Sequence, residues 1–179
     1  MEETNPTTEE AAKQPTVMAT GLRYGIISAL VGIAWSLVRM VMGINMFDRD
    51  WSSWMGIIIL IVMVVLAHKY FKDNGDGFMS YGQGLGISMV TITVSILISA
   101  VFTYIYMAVI DPGVFETFLD QTREQMESQG QSDDAINTAI EWTKKLFWVF
   151  FIIGSLFWGL IIGLIVSIFT QKKNPEPAF

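Results

Sequence analysis

The sequence predicts an all-α integral membrane protein: a four-helix bundle with a short extramembrane helical hairpin between the third and fourth spans. Three observations carry this. Of the 179 residues, 52% are hydrophobic and only 16% are charged. The apolar residues gather in runs of about twenty, a length that matches a hydrocarbon core of roughly 30 Å. These runs lack the alternation of barrel strands, and lipid offers the backbone no hydrogen-bond partners, which leaves helices as the economical way across.

The chain divides accordingly. Residues 1–20 form an acidic tail expected to be disordered and cytoplasmic, and residues 21–172 form the membrane domain. Its spans are expected at about 23–47, 54–71, 85–110 and 146–169, with an outer helical segment at 111–145. Residues 173–179 make a second cytoplasmic tail. The start "MEETNPTTEEAAKQPT" is acidic, unlike the basic opening of a secretory signal, and no A-x-A-like site follows the first apolar run. That run is expected to stay as an anchor.

Four crossings put both termini and the 72–84 loop on one side, with Lys13, Arg23, Lys69, Lys72, Lys172 and Lys173. The other side carries Arg49, Arg123, Lys144 and Lys145. Six bases against four, with several hugging the membrane, favours a cytoplasmic location for both termini by the positive-inside rule. The expected home is the inner (cytoplasmic) membrane, multi-pass. Trp51, Trp54, Trp142 and Trp148 would gather at the outer boundary, and Tyr70, Phe71, Phe78 and Tyr81 at the inner one. Trp35 and Trp158 fall mid-span and call for packing.

Within the spans, small and hydroxylic residues recur every four positions. Ser155, Gly159, Gly163 and Ser167 do so in the fourth span, and Thr91, Ser95, Ser99 and Thr103 in the third. Ser28, Gly32 and Ser36 form a shorter stripe in the first, beside Gly21, Gly25 and Ala29. This spacing keeps each set on one helix face, where small side chains let backbones approach and hydroxyls bond across. The second span has only Gly56 and Ala67 and is expected at the lipid-facing edge. Two facing hydroxyl stripes could instead line a polar path, but such a path needs a mid-span acid or base, which the third and fourth spans lack.

Arg39 is the clear charge inside a span, where an unpaired cation would cost roughly 2.5–3.5 kcal/mol on insertion scales. It lies towards the outer end and is expected to clamp to Asp111, with Asp48 and Asp50 nearer in sequence; a substrate-anion site is the other reading. His68 sits beside Lys69 at the inner end of the second span. With no cysteine and no second histidine it makes a poor metal site. No G-x-S-x-G context accompanies it, and it reads as a histidine at the membrane edge.

The stretch "KDNGDGFMSYGQGLGISM" is rich in glycine. As a calcium loop from Asp73 it fails, because Gly75, Gly77 and Gly84 occupy positions three, five and twelve. As a dinucleotide fingerprint it fails too, because no strand precedes it. Asn74, Gly75, Asp76 and Gly77 read as a tight turn needing positive φ. Gly82 and Gly86 read as a packing face opening the third helix.

In the outer segment, Phe115, Phe118, Leu119, Thr122 and Met126 recur at helical spacing. Gly130 is a stop and Ser132 a cap for the next helix, which is expected to continue into the fourth span. Eight acids against three bases speak against a lipid-surface helix. They favour a cap on the bundle's own mouth over a docking surface for a partner.

"NGDGFMSYGQGLGISM" resembles the lead-in to the third helix of the domain of unknown function 4199 family. "YMAVIDPG" looks like that family's Tyr/Ile-Asp-Pro exit, and "MESQGQSDDAI" resembles its element between outer helices. The resemblance spans roughly Leu22 to Lys173. It implies small bacterial membrane proteins of four helices with no assigned activity, and it supplies no catalytic residues.

For function, the residues favour a non-enzymatic subunit, scaffold or accessory partner. The alternative is a small lipid or solute carrier using the Ser/Thr stripes and Arg39. No cofactor or metal motif is present. The net charge of −6 opposes nucleic-acid binding. The expected partners are the bilayer, another membrane protein, or a second copy of the chain.

Overall fold

The computed structural model describes residues 14–48 and 50–174. The acidic run at 1–13, Arg49 and residues 175–179 lie outside them, with the expectations attached to those positions. The described chain is helical. The long helices are α1 (Val17–Val41), α2 (Ser53–Asp73), α3 (Tyr81–Ile105) and α5 (Asp133–Thr170), and the short α4 covers Val114–Ser128. Four helices are long and apolar enough to cross a membrane: α1, α2, α3 with its continuation to Ile110, and α5.

The helix boundaries follow local chemistry. α1 begins six residues ahead of the expected Arg23, because the Thr16 hydroxyl accepts from Ala19 N at 3.1 Å and caps it there. It ends at Val41, short of the expected Phe47, where Gly43 takes φ +77°. α3 begins at Tyr81 and not at Leu85, held by a capping box in which Ser80 and Gln83 exchange side-chain-to-backbone bonds. Its last residues, Tyr106–Ile110, widen into a π turn before Pro112, which has no N–H to continue it. α5 runs for 38 residues from the Ser132 cap without a break, as the outer segment and fourth span together require.

α3 is the hub and touches α1, α2 and α5, while α2 also touches α1 and α5. The expectation that α2 sits at the lipid-facing edge therefore fails for its second half. Val64, Ala67, His68 and Phe71 recur at helical spacing there and are all buried. Three apolar clusters stack along the molecule. Ala67, Phe71, Met79 and Ile87 hold the end where both described chain ends meet, here the proximal end. Val64, Ile92 and Val166 hold the middle. Leu119, Ile136 and Ile140 join α4 to the first turns of α5 at the distal end.

Glycines set the closest helix approaches. A Cβ on Gly25 would lie 2.8 Å from the Thr91 carbonyl oxygen, and one on Gly21 would lie 2.5 Å from Val90 Cβ. A Cβ on Gly159 would overlap Ile92 Cγ2, and one on Gly163 would reach Ser88 Cβ at 3.0 Å. The direct α3–α5 contact is thus made by the glycines of α5 against Ile92 and Ser88, while Ser95 of α3 reaches Ser28 of α1.

At the proximal end the chain is stitched together. Met79 and Lys172 pair backbone to backbone, each N–H donating to the other's carbonyl at 2.9 Å. In the α2–α3 turn only Gly77 has a positive φ, of 82°, so Asn74 and Asp76 do not share that need. Asp76 Oδ1 accepts from Phe78 N at 2.9 Å. Gly75 is needed for space, since a Cβ there would stand 2.8 Å from the Phe71 carbonyl oxygen.

Candidate functional site

Two features stand out: a buried polar shelf at the proximal end and a lateral crevice nearer the distal end. The shelf centres on His68, which is 0% exposed, not at a membrane edge as expected. Its Nε2 lies 2.8 Å from the Gly84 carbonyl oxygen and 3.0 Å from Ser88 Oγ. Its Nδ1 lies 2.7 Å from Thr170 Oγ1. A carbonyl oxygen only accepts, so Nε2 carries the proton, while the single Thr170 hydroxyl proton has two acceptors within reach, Nδ1 and the Val166 carbonyl at 2.8 Å. Ser88 Oγ also donates to the Gly84 carbonyl at 3.0 Å and sits 3.4 Å from Ser167 Oγ. Lys72 Nζ donates to the Thr170 carbonyl at 2.8 Å and closes the end of α5.

The shelf joins α2, α3 and α5 through polar groups that would be costly to bury alone. Ser88 and His68 have the spacing of a nucleophile and its base, but both are fully buried, and neither lines the crevice. Their contacts tie α2 to α3 and α5. Ser167, expected as a packing position, is part of this shelf. Ser88 and Thr170 went unmarked, although Ser88 falls four residues from Gly84 on one face of α3.

The crevice has a volume of about 750 Å³ and lies among α1, α2, α3 and α5. Ser28, Ser95, Ser99 and Ser155 supply hydroxyls to it, and Trp54, Phe150, Phe151 and Trp158 supply aromatic walls. No charged residue lines it. Ser95 Oγ donates to Ser28 Oγ at 3.4 Å across the α1–α3 contact. Gly32, Gly56 and Gly154 also line it, and a Cβ on any of the three would meet nothing within 4 Å. Trp158 is 66% exposed, not packed as expected.

The other expected packing positions divide. Gly159 borders the crevice and Gly163 lies beyond it, both tight against α3, while Gly86 lies against Val17. Thr91 and Thr103 are buried in the α3 face, and the Thr91 hydroxyl has no partner. Ser36 is half-buried. Gly82 is exposed and a Cβ there would meet nothing, so Gly82 is not a packing position. Gly32 is not one either, since it opens space.

At the distal end the expected Arg39–Asp111 pair does not form. Arg39, its side chain 9% exposed, donates to Asp50 Oδ1 at 3.0 Å and to the Asp48 carbonyl at 2.8 Å. Asp111 instead accepts from Gly113 N at 3.1 Å in its own turn. A loop of about ten residues brings Asp50 back at little closure entropy. Partial desolvation pushes the Asp50 carboxyl up, but hydrogen bonds from Ser52 and Ser53 and the Arg39 charge outweigh it and hold the group below its ordinary 3.8. Trp35 is tied into the same loop, its Nε1 donating to the Ser52 carbonyl at 3.2 Å. Phe47 packs on Phe118 and Phe147, so α4 rests on the molecule's own aromatic groups.

Fold and site together define an all-helical protein with four apolar helices of membrane-spanning length, which suggests a membrane protein. A family model described as "Protein of unknown function (DUF4199)" matches residues 23–172, most of the chain. The chain belongs to that family. No curated protein and no solved structure gives a significant match.

Proposed function

We propose that the chain is a multi-pass four-helix bundle of the bacterial inner membrane, with α1, α2, α3 and α5 as the spans. Both termini face the cytoplasm, and α4 with the first turns of α5 forms an extramembrane hairpin capping the other side. In this reading it acts by non-covalent association, as a subunit, scaffold or accessory partner, and not as an enzyme. The observation that carries this is the disposition of its ionisable side chains. Arg39 is engaged by the α1–α2 loop and His68 by the shelf, so neither is presented in the crevice, and the ionisable groups that do gather around an open space, Lys69, Lys72, Asp73, Asp76 and Lys172 at the proximal turn, include no histidine or hydroxyl nucleophile. A reaction centre needs several polar groups converging on one accessible point.

A second reading, a small lipid or solute carrier, is favoured by the crevice itself. Its volume of about 750 Å³ falls in the usual range of small-molecule sites. Arg39 has no part in that reading, being held by Asp50. Purification in mild detergent separates the two. A stoichiometric protein partner supports the first reading, and retained lipid with saturable uptake supports the second. A chain that stays dissolved without detergent overturns both.

A further inference from the structure

The seam between α2 and α5 changes character as it nears the proximal end. Towards the middle of the molecule it is a shallow apolar groove of about 300 Å³, lined by Ile61 and Val65 of α2 and by Ile162, Ile165, Phe169 and Thr170 of α5. At the end itself lies a space of about 490 Å³ with charged walls, Lys69, Lys72, Asp73, Asp76 and Lys172. The two adjoin. On α2, Ile61, Val65 and Lys69 follow at intervals of four, which stacks them on one face. On α5, Phe169 and Thr170 run directly towards Lys172. Lys72 Nζ bridges groove and space by donating to the Thr170 carbonyl at 2.8 Å.

The charged space holds both signs without pairing them. Among the described residues none of its lysines forms an ion pair, whereas Arg39, Lys144 and Lys145 at the distal end all do. The fold places two of these cations by other means. Lys72 is held by the Thr170 carbonyl. Lys172 Nζ stands 5.3 Å from the centre of the Phe78 ring, on a backbone paired with Met79. Asp76 is placed by the turn, where one oxygen accepts from Phe78 N.

We propose that this seam binds one zwitterionic phospholipid, with a phosphoethanolamine head in the charged space and an acyl chain in the groove. The proposal rests on the reading of α1, α2, α3 and α5 as membrane spans. It lies apart from the crevice and from the choice between partner and carrier. Charge selects the head. A purely basic pocket between spans takes an anionic head, but here Asp73 and Asp76 oppose a net anion. The lysines equally oppose a lone cation, and a head carrying both signs meets both walls. Its phosphate oxygens accept from Lys69 and Lys172, and its ammonium has three N–H groups to donate to the carboxylates. A trimethylated ammonium has none. The groove selects the chain, since no ionisable side chain lines it. Ile61 to Lys69 covers about 12 Å at 1.5 Å per residue, close to the ~15 Å of hydrocarbon in one leaflet. A soluble zwitterion would leave that length unfilled.

The test uses the full chain purified in mild detergent and mixed with equimolar dioleoyl phosphatidylethanolamine, phosphatidylcholine and phosphatidylglycerol. Bound lipid is counted by native mass spectrometry. The expected result is one phosphatidylethanolamine per chain, preferred about tenfold over phosphatidylcholine, the worth of one charge-assisted hydrogen bond. Lys69→Gln with Lys172→Gln, both exposed positions, is expected to abolish the preference with the melting temperature held. Asp73→Asn with Asp76→Asn is expected to turn it towards phosphatidylglycerol, because the lysines then stand unopposed. Equal retention of the three lipids overturns the proposal. So does a parent chain that prefers phosphatidylglycerol, or either double variant that still prefers phosphatidylethanolamine. Glycerophosphoethanolamine, the same head without chains, is the soluble comparison, and displacement of the lipid by an equal concentration of it overturns the role of the groove. Carbonate-resistant insertion is read in the membranes from which the chain is purified. Failure there overturns the membrane reading, whereas insertion without the lipid preference overturns the phospholipid site alone.

Discussion

Nδ1 of His68 stands 2.7 Å from Thr170 Oγ1, linking α2 to the last residue of α5 across 102 positions of sequence. The contact carries a strong stability prediction. His68→Leu removes the ring's bonds to the Gly84 carbonyl and to Thr170 Oγ1 from a fully buried position, leaving Gly84 with the Ser88 hydroxyl and Thr170 with the Val166 carbonyl. The expected loss is about 1–3 kcal/mol, read as a lower melting temperature in detergent. Ser88→Ala, which gives up the Oγ–Nε2 approach but keeps the ring's contacts with Gly84 and Thr170, is expected to lose about 1 kcal/mol or less. A His68→Leu protein melting with the parent would remove the shelf from any structural role.

Glycine positions should separate by what surrounds them. Gly25→Ala pushes a methyl group at the Thr91 carbonyl, which is backbone and cannot rotate away, and is expected to cost about 1–3 kcal/mol. Gly56→Ala enters open space and is expected to be neutral, or to stabilise by up to about 1 kcal/mol through helix propensity. Parallel melts of the two variants check the contrast. Equal effects would contradict the α1–α3 approach described above.

Arg39→Met should lower stability, and Asp111→Asn should leave it near the parent, because Asp50 and the Asp48 carbonyl hold the guanidinium. The pH dependence follows from Asp50. Its folded-state value lies below the ordinary 3.8, so the stabilisation is fully present above that value. It is lost as pH falls through the lower folded-state value. Asp50→Asn should flatten the acid limb of a melt-versus-pH curve below about pH 4. An unchanged limb would show that other carboxyls govern it.

Ser80→Ala removes the side-chain acceptor for Gln83 N and should cost about 1 kcal/mol. Its local signature is faster amide exchange over the first turn of α3 with the middle of the helix unchanged. Uniform exchange along α3 would mean that the capping box does not hold the helix start.

The four long helices were legible because hydrophobic run length needs no tertiary information. The helical character of α4 was legible in a similar way, since Phe115, Leu119 and Met126 keep a helical period. What was not legible depended on partners distant in sequence. His68 looked like an edge residue because its neighbour Lys69 is polar, although Val64, Ala67 and Phe71 already placed position 68 on the buried face of α2. Arg39 was matched to Asp111 by membrane depth, and depth could not show that the loop returns Asp50 to within hydrogen-bonding distance. Gly32 and Gly82 shared a spacing with true contact glycines, and spacing does not distinguish a glycine that admits a neighbour from one that leaves a gap.

The placement of Thr170 bears on how the molecule is assembled during synthesis. In the proposed membrane reading, the imidazole and the Ser88 hydroxyl enter the bilayer with the earlier spans, whereas Ser167 and Thr170 emerge only as translation nears its end. Until then the ring lacks its α5 partner, and a nascent chain stalled before residue 170 would hold the first three spans around an incompletely satisfied polar centre. In that reading the final helix completes the polar centre that the first three leave open.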